Sequence, residues 1–154
     1  MGMDVYGTKP ANDSGEYFRN NVWWWRPLWD YCEEVYPKCK EISGHTNDGD
    51  GFGEAHALQL SQVLKAEIES GRTAEYATAR ELIISLIERP TCRICEGTGQ
   101  RPDGLYGVEW KQKGCNSCHG EGTTSPAEAN YPFSVENVQQ FAEFLEACGG
   151  FEIC

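Results

Sequence analysis

The sequence predicts an α+β fold, mainly α: a small helical domain with an inserted β-hairpin and a short strand pair made by the two ends of the chain. Three observations predict it. Apolar residues recur at steps of three and four through most of residues 16–36, 54–87 and 134–148, which is helical spacing. The segments 3–6 and 151–154 alternate instead, as half-buried strands do. Between the last two helical stretches, residues 91–122 lose the helical period and carry two cysteine pairs followed by glycines. With 154 residues the chain is about one ordinary domain, taken as 1–154 with 91–122 inserted before the last helix.

The elements follow in chain order. Met3-Asp-Val-Tyr6 reads as a short strand, and Gly7, Pro10, Asn12, Asp13, Ser14 and Gly15 mark turns. From about Glu16 a stripe of Phe18, Val22, Trp25, Trp29, Cys32 and Tyr36 predicts a helix. A second stripe, Trp24, Leu28, Tyr31 and Val35, widens its buried face. Pro27 inside this pattern predicts a kink, or two helices meeting near Arg26. Ser43 to Gly53 reads as a polar, glycine-rich loop. A helix over 54–70 then turns Ala57, Leu60, Leu64 and Ile68 inward and ends at Gly71. Thr73 is placed to cap the next helix, which carries Tyr76, Ile83 and Ile87 on one face and ends before Pro90. Ser134 caps the last helix, with Phe133 and Val138 placed as a hydrophobic staple. That helix buries Val138, Phe141, Leu145 and Cys148, and Gly149-Gly150 stop it. The tail Phe151-Glu-Ile-Cys154 is then free to pair with Met3 to Tyr6.

The chemistry is concentrated in 91–122. Cys92-Arg-Ile-Cys95-Glu-Gly-Thr-Gly99 is matched by Cys115-Asn-Ser-Cys118-His-Gly-Glu-Gly122, with 19 residues between the pairs. Two thiolates from one tight turn can reach a single tetrahedral ion, so this spacing predicts one structural Zn2+ held by Cys92, Cys95, Cys115 and Cys118. At Gly97 and Gly120 the backbone can bend back and aim amides at the sulfurs. Between the pairs, Arg101-Pro-Asp-Gly104 reads as a turn and Leu105 to Trp110 as a strand, completing a hairpin arm. The alternatives for the four cysteines are plain burial, disulfides or a redox pair. The repeated C-x-x-C-x-G-x-G resembles the cysteine-rich segment of DnaJ-type co-chaperones, where four repeats make two zinc sites. Here there are two repeats and no His-Pro-Asp signature, so the resemblance implies a zinc knuckle and no chaperone activity.

Charge bounds the partners. The net charge is −11, which repels polyanions and argues against general nucleic-acid binding. Within 89–122, Arg89, Arg93, Arg101, Lys111 and Lys113 stand against Glu96, Asp103, Glu109 and Glu121, for a net +1, so the remainder carries −12. Nucleic-acid binding through the zinc arm is therefore the minor alternative. A protein partner is the expectation, contacted by Trp23, Trp24 and Arg26 on the aromatic helix and by Arg93, Arg101 and Trp110 on the arm. Trp23, Trp24 and Trp25 cannot all be buried at helical spacing, so at least one reaches the surface. The run Asn20 to Trp29, together with Tyr131-Pro-Phe-Ser-Val-Glu-Asn-Val138, resembles a group of small uncharacterised proteins from bacteria and their phages. That resemblance implies a phage origin and no activity.

A second reading, from another class, uses the loop His45-Thr-Asn-Asp48-Gly-Asp50-Gly51. His45, Asp48, Asp50 and Glu54 would form a polar site of a metal-dependent enzyme or sensor. Alignment with a calcium loop puts Thr46 at position one and Ala57 at twelve, so it is not an EF-hand. The plain alternative is a loop whose aspartates make turns. Cys32, Cys39, Cys148 and Cys154 lack ligand spacing and read as buried thiols. No catalytic set can be built around three histidines, and the expectation leans away from an enzyme. The start MGMDVYGTKP lacks a signal peptide's n- and h-regions, and no apolar run approaches the roughly 18 residues of a membrane span. The expected location is the cytoplasm.

Overall fold

The computed structural model describes residues 2–102 and 114–154. Their order is β1 (Gly2–Gly7), β2 (Tyr17–Asn21), α1 (Val22–Val35), β3 (Asp50–Gly53), α2 (Glu54–Glu69), α3 (Arg72–Leu86), α4 (Val135–Ala147) and β4 (Gly150–Ile153), with short 3-10 turns between. The fold is α+β and mainly helical. Two compact units emerge: Met1–Glu81 with Tyr131–Cys154, and Leu82–Asn130.

In the first unit the strands form one antiparallel sheet in the order β2-β1-β4-β3. The two ends of the chain pair as their alternation predicts, with Val5 opposite Ile153 and Gly7 opposite Phe151. Period two then sorts the faces. Met3, Val5, Phe52, Phe151 and Ile153 are buried with the helices, while Tyr6 and Glu152 point to solvent. The core is aromatic. Trp25 stacks on Trp29 with ring centroids 5.5 Å apart, and Phe141 meets Trp25 edge-on at 5.5 Å. Helices α2 and α4 are joined by Ser61, whose buried hydroxyl donates to the Ala142 carbonyl at 2.7 Å.

Several expectations are corrected or narrowed. Phe18 belongs to strand β2, not to the first helix, because the Asn21 side chain accepts from the amides of Trp23 and Trp24 and starts α1 only there. Of the two alternatives at Pro27, a kink or two helices meeting near Arg26, the second is excluded, because one helix runs through Pro27. The glycine-rich loop ends in strand β3, which pairs with β4. Thr73 lies inside α3, and its buried hydroxyl bonds the Tyr31 hydroxyl at 3.0 Å instead of capping the helix. The predicted inward face of α3 holds only at its start. Tyr76 packs on Tyr31 and Phe133, whereas Leu82, Ile83 and Leu86 are exposed.

Ser134 caps α4 as expected, accepting from the Asn137 amide at 3.2 Å. Phe133 packs its ring on Tyr31 and Tyr76. Replacing Ser134 with Ala removes a partner for one orphan amide and should cost about 1 kcal/mol in urea unfolding, while Ser134→Asp should be nearly neutral. Equal losses for both variants would show that the cap contributes nothing.

Candidate metal centre

Among its described residues the second unit has almost no apolar core of its own. Its buried cluster among the described residues is Cys92, Cys95, Cys115 and Cys118, each no more than 3% exposed. No regular helix or strand carries them; turns do, and the chain folds that way for local reasons. Each C-x-x-C is followed by two residues in the left-handed region: Glu96 (φ 51°) and Gly97 (φ 86°), then His119 (φ 54°) and Gly120 (φ 86°). The second position of each pair is glycine, the residue that adopts this conformation at little steric cost. The two halves also lock each other. The Cys92 amide donates to the Gly122 carbonyl at 2.8 Å, and the Cys115 amide donates to the Gly99 carbonyl at 2.6 Å. A Cβ on Gly99 would stand 2.4 Å from the Gly120 oxygen, and one on Gly122 would stand 2.3 Å from the Gly97 oxygen. The repeated glycines thus build a near-symmetric pair of turns in close backbone contact. A stem closes the unit, with Thr91 bridging Thr123 and the Thr124 amide donating to the Pro90 carbonyl at 2.9 Å.

The sulfurs that result fit a metal. All four ligand atoms lie within 4.8 Å of one another. Cys92 Sγ and Cys115 Sγ are 3.9 Å apart, and Cys95 Sγ and Cys118 Sγ are 3.7 Å apart. Four sulfurs placed about 2.3 Å from a tetrahedral ion stand about 3.8 Å apart, whereas a disulfide needs about 2.05 Å. The cysteines are free thiols. The surroundings favour thiolate. The amides of Cys95 and Ile94, with the Cys95 and Ser117 side chains, hold the Cys92 thiol down at about 6 against the opposing effect of burial. The Gly122 amide donates to Cys118 Sγ at 3.2 Å. That donor comes two residues after the predicted Gly120, whose own amide bonds the Cys115 carbonyl at 3.1 Å. Four buried cysteines in this arrangement can hold one metal ion.

The other sequence-predicted residues fare unequally. Trp23 is 47% exposed, Trp24 is half-buried and Trp25 is buried, so the surface indole is Trp23. Its ring packs on Tyr131 with centroids 4.9 Å apart, and the Arg26 guanidinium sits over the same Tyr131 ring at 5.9 Å. Tyr131 was not singled out by the sequence; it lies 105 residues or more from these partners, and no local pattern announces the contact. Arg93 is exposed, and Arg101 donates to the Asn116 side chain at 2.9 Å. Of the predicted turn, Arg101 and Pro102 are described; the strand at 105–110 and Trp110 lie outside the described residues.

The polar loop does not converge. His45 lies 3.3 Å from Asp30 and 3.7 Å from Glu33, on α1. Asp50 accepts from the Ser43 and Gly51 amides, so its oxygens hold the loop. Asp48 and Glu54 are exposed. Among the described residues no second group of three or more His, Cys, Asp or Glu side chains converges as the four cysteines do. Cys32, Cys39 and Cys148 are buried, and burial pushes each thiol up, Cys39 to about 12; Cys154 is exposed. Among the described residues no helix is long and apolar enough to cross a membrane. The chain matches no family model, and comparison with curated proteins and with solved structures finds no match.

Proposed function

We propose that this chain is a non-enzymatic protein-interaction module of the cytoplasm, stabilised by one structural zinc ion on Cys92, Cys95, Cys115 and Cys118. The observation that carries the reading is a contrast. The cysteine cluster is sealed, while Leu82, Ile83 and Leu86 of α3 stand in water at 59%, 63% and 77% exposure. A closed four-thiolate site offers no open position for water, so it scaffolds rather than hydrolyses. Large apolar side chains grouped on one helix face are what partner surfaces expose. Zinc is the metal that four thiolates in tetrahedral array favour in a reducing compartment. Trp23, packed on Tyr131 beside Arg26, adds a rigid aromatic contact of the kind that anchors interfaces. In its specific form the module is a phage-borne acidic protein that occupies and blocks a host nucleic-acid-handling machine. The net charge of −11 supports a basic partner surface.

Native mass spectrometry of tagged protein, purified from host lysate without chelator, tests the reading. One zinc per chain and a co-purified protein are expected, with the protein lost from the Leu82→Asp/Leu86→Asp and Trp23→Ala/Arg26→Ala variants. A folded chain without metal overturns the zinc assignment. A catalytic activity abolished by Asp48→Asn/Asp50→Asn overturns the module reading in favour of the loop.

A further inference from the structure

The sheet of the first unit carries on its solvent face a side-chain row that neither the fold nor the metal centre requires. Register sets it out. Tyr17 of β2 is opposite Tyr6 of β1, Tyr6 is opposite Glu152 of β4, and Glu152 is opposite Gly51 of β3. One row therefore crosses all four strands as Tyr, Tyr, Glu, Gly. Directly opposed residues have Cβ atoms about 4.5–5.5 Å apart, so neighbouring members of the row can grip one ligand group between them.

The two tyrosine rings lie 5.1 Å apart at 38°, and they are 49% and 43% exposed. Tyr17 is fixed, since its hydroxyl donates to Asp4. Asp4 in turn faces Arg19 at 3.5 Å, so its charge is already answered within the sheet. Glu152 differs: it is exposed, and none of the ion pairs among the described residues includes it. On its far side Gly51 has no side chain, and a Cβ there would stand 1.8 Å from the Phe151 carbonyl oxygen. Beside this close backbone approach runs a groove of about 330 Å³ lined by Thr8, residues 49–53, Phe151 and Glu152. An exposed aromatic face beside an unanswered carboxylate and an open groove is the chemistry that takes a cation.

We propose that this row docks an arginine-rich segment of a basic protein partner, one guanidinium lying on the Tyr6 ring and forking onto the Glu152 carboxylate. Arginine fits better than lysine because its planar, weakly hydrated head stacks on a ring and meets a carboxylate with two donors at once. A protein segment fits better than a nucleic acid because the unanswered charge of the face is negative, and the whole chain at −11 attracts cations at long range. The inference rests on the interaction-module reading and supplies the chemistry of its partner.

Fluorescence anisotropy with a labelled oligo-arginine peptide at physiological salt tests it, with an oligo-lysine peptide of the same length as comparison. The expected result is tighter binding of oligo-arginine and a roughly tenfold loss for Tyr6→Ala, which leaves the net charge unchanged. Glu152→Gln should lose as much, whereas Glu81→Gln, which removes an exposed charge on α3, should bind within twofold of the parent chain. Thermal melts identify any variant that fails to fold, and Tyr6→Leu provides a second removal of the aromatic face. The proposal is overturned if oligo-arginine does not bind, if Tyr6→Ala and Tyr6→Leu bind like the parent, or if Glu81→Gln costs as much as Glu152→Gln. A lysate partner that stays on the Tyr6→Ala chain overturns this surface and leaves the interaction reading standing.

Discussion

Chelation is expected to unfold the turns that carry the four cysteines while the helical unit of Met1–Glu81 and Tyr131–Cys154 keeps its structure. Among the described residues the second unit has no other buried side-chain cluster to hold these turns when a metal ion is withdrawn. Without an ion nothing bridges the four sulfurs, which lie within 4.8 Å of one another, and the amides of Cys95 and Ile94 hold the Cys92 thiol toward its charged form. Structural zinc supplies roughly 10–16 kcal/mol to small zinc-binding units, which is comparable to the whole stability of an ordinary domain, about 5–15 kcal/mol. The first unit has its own core of Trp25, Trp29, Phe141, Leu60 and Val5 and does not draw on that energy. Chelation, or Cys115→Ser, should therefore expose peptide bonds within residues 88–102 and 114–125 to limited proteolysis. The far-UV circular dichroism of α1, α2 and α4 should persist, and added zinc should restore protection to the chelated parent but not to Cys115→Ser. Equal protease resistance with and without chelator would contradict a metal-dependent fold.

The cysteine unit was legible in the sequence because its causes are local. Ligand spacing, the turn after each pair and the glycine at its second position all fall within eight residues, and a short pattern carries them. The closing of the sheet was legible for a related reason: the alternation at 3–6 and 151–154 states which side chains go inward, and the apolar ones have only each other's face to join. Strand β3 was hidden. Asp50-Gly-Phe-Gly53 has little β-propensity, and what makes it a strand is β4 arriving from about a hundred residues away. Gly51 is required there by contact with Phe151, which no local pattern records. Phe18 misled because its spacing of four from Val22 continues the helical stripe, although Asn21 between them is a strong cap. Thr73 looked like a cap and became a buried partner for Tyr31, a choice made by tertiary packing. Periodicity likewise placed Ile83 on one face of α3 without saying that the face meets solvent.

Gly44→Ala is the single substitution expected to damage the helical unit most. Gly44 is buried, and a Cβ there would lie 1.9 Å from Cε2 and 2.1 Å from Nε1 of Trp29. Neither side can yield cheaply. The Trp29 ring is fully buried, stacked on Trp25 and met edge-on by Phe151. Moving the loop instead would break the 2.7 Å bond in which Trp25 Nε1 donates to the Gly44 carbonyl, leaving a buried donor unpaired. Overpacking costs about 1–3 kcal/mol and an orphaned buried donor also about 1–3 kcal/mol, and relief of one brings on the other. A loss of roughly 1–3 kcal/mol follows by either route, lowering the melting temperature of this unit by roughly 5–20 °C as read by near-UV circular dichroism. Trp29→Leu supplies the internal check. It removes the ring atoms that the new methyl meets, Cε2 and Nε1, and Nε1 is a buried donor that has no partner among the described residues. The double variant should therefore melt above the sum of the two single losses, a favourable coupling that arises only if the two side chains collide. Strict additivity, or a Gly44→Ala chain that melts with the parent, would mean that residues 42–49 shift freely and that the close approach of Gly44 to Trp29 does not hold the core.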